Sequence, residues 1–287
     1  MKKILLYGLF LSIVSSCQLK TSKSDIPTIV PANSTTSEPT RVELAPVETV
    51  KAAQFGIIFS GGGVRTWAYV NILKELQKYK LPVASVVGIE WGAIVAGIYA
   101  QNVSANEVEW ELSKFKDIDD WSNFIKKIFE KKSTSNLKVP FGCMSLNLKN
   151  QTSYVLNKGQ LDALIPYCVS APGMLKPFSD SIASMSDVAG AVQFLKANGA
   201  TKIILLNVNT ARNGKPLGSG LQSLENQFWI QSNSVLTKKN SGIDEVIDID
   251  INAAITAEKF DQRRDVLNSS LPQAKDQLKK MASKYGY

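Results

Sequence analysis

The sequence predicts an α/β domain of three layers, in which a mainly parallel central sheet lies between helices. Twice, a short apolar run is followed by a glycine-rich turn and then by a helical pattern. A third apolar run, residues 203–208, comes late in the chain and fits another strand of that sheet. With 287 residues, 44% of them apolar, the chain is long enough to bury one sizeable core.

The first strand and helix are predicted from residues 55 to 79. The run 55–59 is short and unbroken, as expected of a strand that is buried on both faces. The turn 60–65 follows it, and a helical pattern then extends from residue 67 to about residue 79. The apolar side chains of that pattern recur on one helical face, at Tyr69, Ile72, Leu73 and Leu76.

The second strand and helix repeat this order. Residues 83–87 form another buried run, the turn 88–92 follows, and an apolar helix extends from residue 93 to about residue 100. We expect residues 102–157 to form a helical and irregular cap over the carboxyl edge of the sheet. That edge is where folds of this class place their sites.

The first 17 residues have the features of a lipoprotein signal peptide. Lys2 and Lys3 precede an apolar stretch, 4–14, which is shorter than the about 20 residues of a membrane-spanning helix. Val-Ser-Ser then precedes Cys17, which resembles a bacterial lipobox, in which the cysteine is lipidated and anchors the chain. An ordinary signal peptide with a chance cysteine is the alternative. Gln18 favours the outer membrane of a Gram-negative cell envelope, facing the periplasm.

Residues 18–53 are predicted to be a flexible tether, and residues 54–287 the folded domain. The tether is rich in Ser, Thr, Pro and Lys and has little apolar surface to bury. Cys143 and Cys168 lie in the folded domain. In an oxidising compartment they can pair, and two buried free thiols remain equally compatible with the sequence.

The composition excludes several classes of site. The chain has no histidine, so it cannot build a Ser-His-Asp or Cys-His site or a histidine-ligated metal site. We expect no metal and no cofactor. The formal net charge is +8, but the basic residues are scattered, which indicates mild attraction to anionic membrane headgroups rather than nucleic-acid binding.

The two glycine-rich turns have separate physical uses. Three glycines at the end of the first strand, 61–63, let backbone amides converge on a phosphate or an oxyanion. The second turn places Glu90 between Gly88 and Gly92, where a tight strand-to-helix elbow presents its central residue at a helix N-terminus.

These turns together resemble those of the patatin-like phospholipase family. The resemblance covers about residues 54–286 and implies a patatin-like fold, a lipid substrate and a Ser-Asp dyad that needs no histidine. It assigns the oxyanion loop to Gly61, Gly62, Gly63, Val64 and Arg65, and the elbow to Gly88 and Gly92. Weaker matches are the segments 170–177 and 199–208 together with Phe260, Asp261 and Arg264.

The chain departs from the family pattern at the positions that matter most. The position of the nucleophilic serine is Glu90, and no other G-x-S-x-G occurs. Thr66 replaces a glycine that usually follows the loop. The dyad aspartate of the family stands in a D-G-G or D-G-A turn. The best candidate here is Asp180, with Asp187 a poorer fit, and neither is followed by glycine.

A glutamate at the elbow is a poor substitute for serine, because a carboxylate nucleophile would form a reactive mixed anhydride. We expect the helix N-terminus to stabilise Glu90 and the carboxylate to occupy the site of the oxyanion. A pairing of Arg65 with Glu90 would close the site further. If Asp180 lies beside Glu90, one of the two pKa values should rise.

The sequence leaves three functions open. The first is a pseudoenzyme, a membrane-anchored domain that binds a lipid, an envelope component or a protein partner, and the sequence favours it over catalysis. The second is a lipid acyl hydrolase or glycosidase of altered chemistry that uses Glu90 with Asp180. The third is a dinucleotide-binding domain in which Glu90 holds a ribose, although the consecutive glycines do not follow G-x-G-x-x-G.

Overall fold

The computed structural model describes residues 52–185, 188–209, 220–236, 242–252 and 254–287. The predicted signal peptide, Cys17 and nearly all of the predicted tether lie outside these residues. The unit Val50–Tyr287 is compact by itself and contains every element described below. It can therefore be studied without the residues that precede it.

The centre of the unit is a sheet of seven strands within the described residues, in the order β4-β3-β2-β1-β6-β7, with β5 paired to β3. The four pairs β1–β2, β1–β6, β2–β3 and β6–β7 are parallel, and β4 and β5 run antiparallel to β3. The strands are β1 Phe55–Phe59, β2 Val83–Ile89, β3 Phe141–Asn147, β4 Thr152–Leu156, β5 Ser181–Ala183, β6 Lys202–Asn207 and β7 Glu245–Asp248.

Helices cover both faces of this sheet. They are α1 Ala68–Lys78, α2 Trp91–Asn102, α3 Ala105–Ser113, α4 Trp121–Phe129, α5 Leu161–Leu164, α6 Pro166–Val169, α7 Ala189–Ala197, α8 Leu221–Leu236 and α9 Arg263–Tyr285. Short 3-10 turns lie at Gly63–Trp67, Ile118–Asp120, Thr134–Asn136 and Phe260–Gln262.

The core forms two clusters because successive side chains of a strand point to opposite faces. Ile57 packs into one cluster with residues of α1, α2 and α9, whereas Ile58 packs into the other with Leu195 of α7 and Trp229 of α8. This confirms the predicted three-layer fold with its mainly parallel sheet. Among the described helices, none combines the length and the hydropathy needed to cross a membrane.

The predicted cap is wrong for its second half. The segments Ala105–Ser113 and Trp121–Phe129 are helical, but β3 and β4 enter the sheet, and β3 pairs in parallel with β2. The apolar run 141–146 is short, and it is interrupted by Gly142 and Ser145, so its strand character was missed in the sequence. The chain uses this segment to extend the sheet beyond the elbow.

Cys143 and Cys168 form a disulfide bond between β3 and α6. Both cysteines are fully buried. Cys143 also pairs with Gly88 in the register of β2 and β3. The bond therefore ties α6 to the strand beside the elbow, and it decides between the two states that the sequence left open.

Candidate functional site

Glu90 is the single residue between the end of β2 and the start of α2. Its backbone has φ 54° and ψ −132°, a conformation that costs a residue with a side chain on the order of 1–3 kcal/mol. The surrounding structure must hold Glu90 in this position, because nothing in the local sequence favours it. Strain of this kind is concentrated at sites of function in other proteins.

The two glycines of the elbow are required by close approach of the backbone. A Cβ atom on Gly88 would lie 2.2 Å from Cα of Ala93, in the first turn of α2. A Cβ atom on Gly92 would lie 2.4 Å from the carbonyl oxygen of Phe59, at the end of β1. The elbow is therefore packed tightly against the neighbouring strand, as a strand-to-helix turn of this type requires.

The glycine loop after β1 points its amides at Glu90. The backbone N–H of Gly62 donates to Oε2 of Glu90 at 2.8 Å, and that of Gly63 donates to the same oxygen at 3.0 Å. A Cβ atom on Gly61 would lie 2.6 Å from Cβ of Glu90. Two convergent amides of this kind form the place where an acyl-transfer site holds its oxyanion, and here a carboxylate oxygen of the protein occupies it.

The carboxyl group of Glu90 is sealed from solvent, with 0% of the residue exposed. Burial raises its pKa to about 8, although the loop amides, the Trp91 amide and the charge of Arg65 oppose the shift. Oε1 is buried and has no hydrogen-bond partner among the described residues, whereas Oε2 accepts two. A pKa this high favours the protonated carboxyl group near neutral pH, and a protonated carboxyl group is a weaker nucleophile than a carboxylate.

Arg65 influences Glu90 as a nearby positive charge, and the hydrogen bonds of its guanidinium go elsewhere. Nε donates to the Ile255 carbonyl at 3.1 Å, and Nη1 donates to Oδ1 of Asn209 at 3.0 Å. The guanidinium also lies 5.8 Å from the ring centroid of Trp229. The hypothesis that Arg65 closes the site by pairing with Glu90 receives no support from this geometry.

Further hydrogen bonds hold the loop from its other side, and the one from Asn209 was not predicted from the sequence. Asn209, just after β6, donates through Nδ2 to the Gly61 carbonyl and accepts from Arg65. Thr66 donates through its hydroxyl to the Gly63 carbonyl at 2.7 Å, and the Val64 amide donates to the Ala257 carbonyl. The only sequence signal for Asn209 was its place at the end of a buried strand.

The structure does not bring Asp180 to Glu90. Asp180 lies in an exposed turn, where its carboxylate pairs with Lys149 at 2.7 Å. The next residue, Ser181, pairs with Asn147 of β3. Asn147 lies three residues beyond Met144, and Met144 pairs with Ile89 at the end of β2. Three residues of strand span roughly 10 Å. The expectation that these two carboxylates form one site is therefore corrected, because the turn before β5 lies too far along the sheet.

The residue that β5 carries to the elbow is Ser184. Its amide donates to the carbonyl of Met144, the residue that pairs with Ile89. Ser184 is buried, and its hydroxyl is 2.7 Å from that of Ser153. The residue that meets Met144 next to Ile89 therefore carries a hydroxyl rather than a carboxylate, and this hydroxyl is hydrogen-bonded to Ser153. Asp187, the poorer candidate for the dyad, lies outside the described residues.

Comparison with known proteins matches this chain to a protein family. The model of the patatin-like phospholipase family matches residues 57–218, more than half of the chain. The crystal structure of VipD from Legionella pneumophila aligns with a TM-score of 0.47 and 10% identity, over 80% of this chain and 67% of that one.

Curated relatives match part of this chain. "Lysophospholipase NTE1" of Cryptococcus neoformans is 22% identical over 58% of this chain and 12% of its own length. "Patatin-like phospholipase domain-containing protein ZK370.4" of Caenorhabditis elegans is 27% identical over 44% of this chain and 11% of its own length. The chain thus spans a small part of these relatives. The matched region contains both glycine turns, and the chain belongs to the patatin-like phospholipase family.

Proposed function

We propose that this protein is a catalytically silent patatin-like domain, anchored to the bacterial cell envelope, which binds lipid without hydrolysing it. The observation that carries the proposal is the placement of Oε2 of Glu90 against the amides of Gly62 and Gly63. The oxygen of a substrate carbonyl cannot accept hydrogen bonds from these two amides while Oε2 of Glu90 accepts them. The position that the resemblance assigns to the attacking serine is Glu90 in this chain. The Glu90 carboxyl group itself fills the oxyanion position.

The second part of a hydrolytic site is also altered. Ser184 stands beside the elbow, and Asp180 is paired with Lys149 in an exposed turn. Among the described residues, no carboxylate forms a hydrogen bond or an ion pair with Glu90. An enzyme that uses Glu90 and Asp180 as paired acid and base would need them much closer together. A ribose-binding role for Glu90 is equally disfavoured, because loop amides already engage its carboxyl group.

The anchoring part of the proposal rests on the lipobox that ends at Cys17 and on the disulfide between Cys143 and Cys168. Disulfides persist in oxidising compartments such as the periplasm. Export in its bacterial source should give a Cys17-acylated protein in the membrane fraction, and Cys17→Ser should release it as a soluble protein. If both forms fractionate alike, the lipid anchor does not exist.

The proposed lack of catalysis is tested by measuring the hydrolysis of fluorogenic acyl esters and phospholipids by residues 50–287. The variants Glu90→Ser and Glu90→Ala are measured for comparison. We expect the wild-type domain to show no turnover above the Glu90→Ala control, which removes the carboxylate without supplying a nucleophile. Turnover by the wild type that Glu90→Ala abolishes would make Glu90 catalytic and overturn the proposal. Binding of the same phospholipids in vesicles, without product release, is the positive result.

A further inference from the structure

One groove among the described residues lies away from the elbow. It has a volume of about 910 Å³ and runs between α4 on one side and α5 and α6 on the other. The residues used below are Lys126, Lys127, Glu130, Asp162, Tyr167 and Phe178. None of the residues that contact Glu90 lines this groove. A volume of this size suits a small ligand or the polar end of a larger one.

Charges of both signs face this groove without neutralising each other. Lys126 and Lys127 lie on the exposed face of α4, whose opposite face is buried in the core. Asp162 lies across from them in α5, and in the described structure it forms no ion pair with either lysine. Glu130 also lines the groove, and its carboxylate is 3.7 Å from Nζ of Lys131, which does not line it. The lysines and Asp162 are therefore available to a ligand that carries both charges.

The floor between these walls is aromatic. The rings of Tyr167 and Phe178 meet edge to face, with centroids 5.0 Å apart, and Trp121 contacts Phe178 from the other side. The two groove residues are half-buried, so part of each ring faces the opening. Tyrosine is favoured at a membrane interface, because its ring is apolar while its hydroxyl stays in water, and Phe178 adds apolar surface beside Tyr167.

We propose that this groove binds the zwitterionic headgroup of a phospholipid, such as a phosphoethanolamine, at the membrane surface. Lys126 and Lys127 hold the phosphate, Asp162 accepts hydrogen bonds from the ammonium group, and Tyr167 and Phe178 contact the glycerol and the first acyl carbons. Charge-assisted hydrogen bonds on both ends of the headgroup select it over a purely anionic one. The proposal deepens the lipid binding proposed above by assigning it a site separate from Glu90.

The experiment is flotation of residues 50–287 with vesicles of phosphatidylcholine that contain either phosphatidylethanolamine or phosphatidylglycerol. The domain lacks Cys17, so no acyl anchor contributes. The variants are Lys126→Ala with Lys127→Ala, and Asp162→Asn. The matched control is Lys131→Ala with Lys132→Ala, which removes the same charge from the neighbouring exposed pair outside the groove. Unchanged thermal unfolding shows that each variant is folded.

We expect the groove lysine variant to bind phosphatidylethanolamine vesicles about tenfold or more weakly, and the control to bind within about twofold of wild type. Asp162→Asn makes the protein more positive, so attraction to a membrane by charge alone predicts stronger binding. The proposed site predicts weaker binding to phosphatidylethanolamine instead.

Several results would overturn the proposed headgroup site in this groove. They are no binding by the wild type, equal losses in the groove and control lysine variants, or wild-type binding by Asp162→Asn. If the wild type prefers phosphatidylglycerol and its binding depends only on the lysines, the protein contacts anionic membranes through a diffuse basic surface. The proposed headgroup site would then be wrong. An absence of wild-type binding would also contradict the lipid binding proposed above, whereas losses confined to the variants would overturn only the groove site. None of these results bears on hydrolysis, which has its own test.

Discussion

The amide of Gly62 donates a hydrogen bond of 2.8 Å to Oε2 of Glu90, and this contact joins the two glycine turns of the domain. An acyl-transfer site leaves amides of this kind free for the oxyanion of its substrate. Here the side chain at the nucleophile position spans the gap by itself. The same residue is strained in its backbone and buried in its side chain, so its hydrogen bonds to the loop offset two separate costs.

Glu90→Gln should change how stability depends on pH. The unfolded glutamate releases its proton near its ordinary pKa of 4.5, whereas the folded one retains it up to about pH 8. Between these values the folded state binds more protons, so the wild-type free energy of unfolding falls as pH rises, by up to roughly 1.4 kcal/mol per pH unit. Glutamine does not titrate, so the variant should lack this loss.

The measurement is urea unfolding of wild type and Glu90→Gln at pH 5, 6, 7 and 8. The chain contains no histidine, so no side chain of ordinary pKa titrates across this window and obscures the difference. We expect the variant to gain stability relative to wild type with each step in pH, by a few kcal/mol in total. Parallel curves for the two proteins would show that the pKa of Glu90 is not raised.

Gly61→Ala should destabilise the domain through Glu90, and Glu90→Gly should relieve the effect. The new Cβ would lie 2.6 Å from Cβ and 2.9 Å from Oε2 of Glu90, so the elbow or the loop must move, at roughly 1–3 kcal/mol. Glu90→Gly removes those atoms and also suits the positive φ. A double-mutant cycle by urea unfolding should therefore give strong coupling. Additive effects would mean that the loop moves away freely.

The sequence predicted the first half of the sheet because its signals are local. Each strand there is a short apolar run, and each turn after it is rich in glycine, so residues 55–100 could be assigned from neighbours in the chain. The same locality explains the prediction of the elbow around Glu90. Its glycines are needed because Ala93 lies close to Gly88 and Phe59 lies close to Gly92. A requirement for glycine can be recognised in the sequence.

The parts that sequence reasoning missed depend on contacts between distant segments. Asn209 holds the Gly61 carbonyl across 148 residues of chain, and nothing near Asn209 indicates that partner. Asp180 is an aspartate in the region where the family pattern predicts one, but the register of β5 on β3 brings Ser184, and not Asp180, against Met144, the partner of Ile89. Pairing register is set by the whole sheet, so a single sequence does not reveal it.

Replacing both Cys143 and Cys168 with alanine should lower the free energy of unfolding. The disulfide closes a separation of 25 residues, for which the loss of loop-closure entropy in the unfolded chain corresponds to about 3.5 kcal/mol. Urea unfolding of the double variant against the oxidised wild type measures the difference. Reduced wild type is the control, since it should resemble the variant. Equal stability of oxidised and reduced protein would show that the bond does not form in solution.

Restoring hydrolysis should require two changes rather than one. Glu90→Ser removes the carboxyl group that fills the oxyanion position and supplies a hydroxyl at the elbow, but that hydroxyl needs a base to accept its proton. Ser184 reaches the elbow through its contact with Met144, and it carries no such base. We therefore expect Glu90→Ser with Ser184→Asp to hydrolyse acyl esters at least about tenfold faster than Glu90→Ser alone, which lacks the base.

The matched control is Glu90→Ser with Ser184→Asn, which has the same shape as the aspartate variant but no basic carboxylate. If the Asp and Asn variants are equally inactive while both remain folded, residue 184 is not within reach of the hydroxyl. If Glu90→Ser alone is as active as the Asp variant, another group already serves as the base. Activity that depends on the carboxylate at position 184 would show that the scaffold still holds both positions of a hydrolytic dyad, and that Glu90 and Ser184 silence it together.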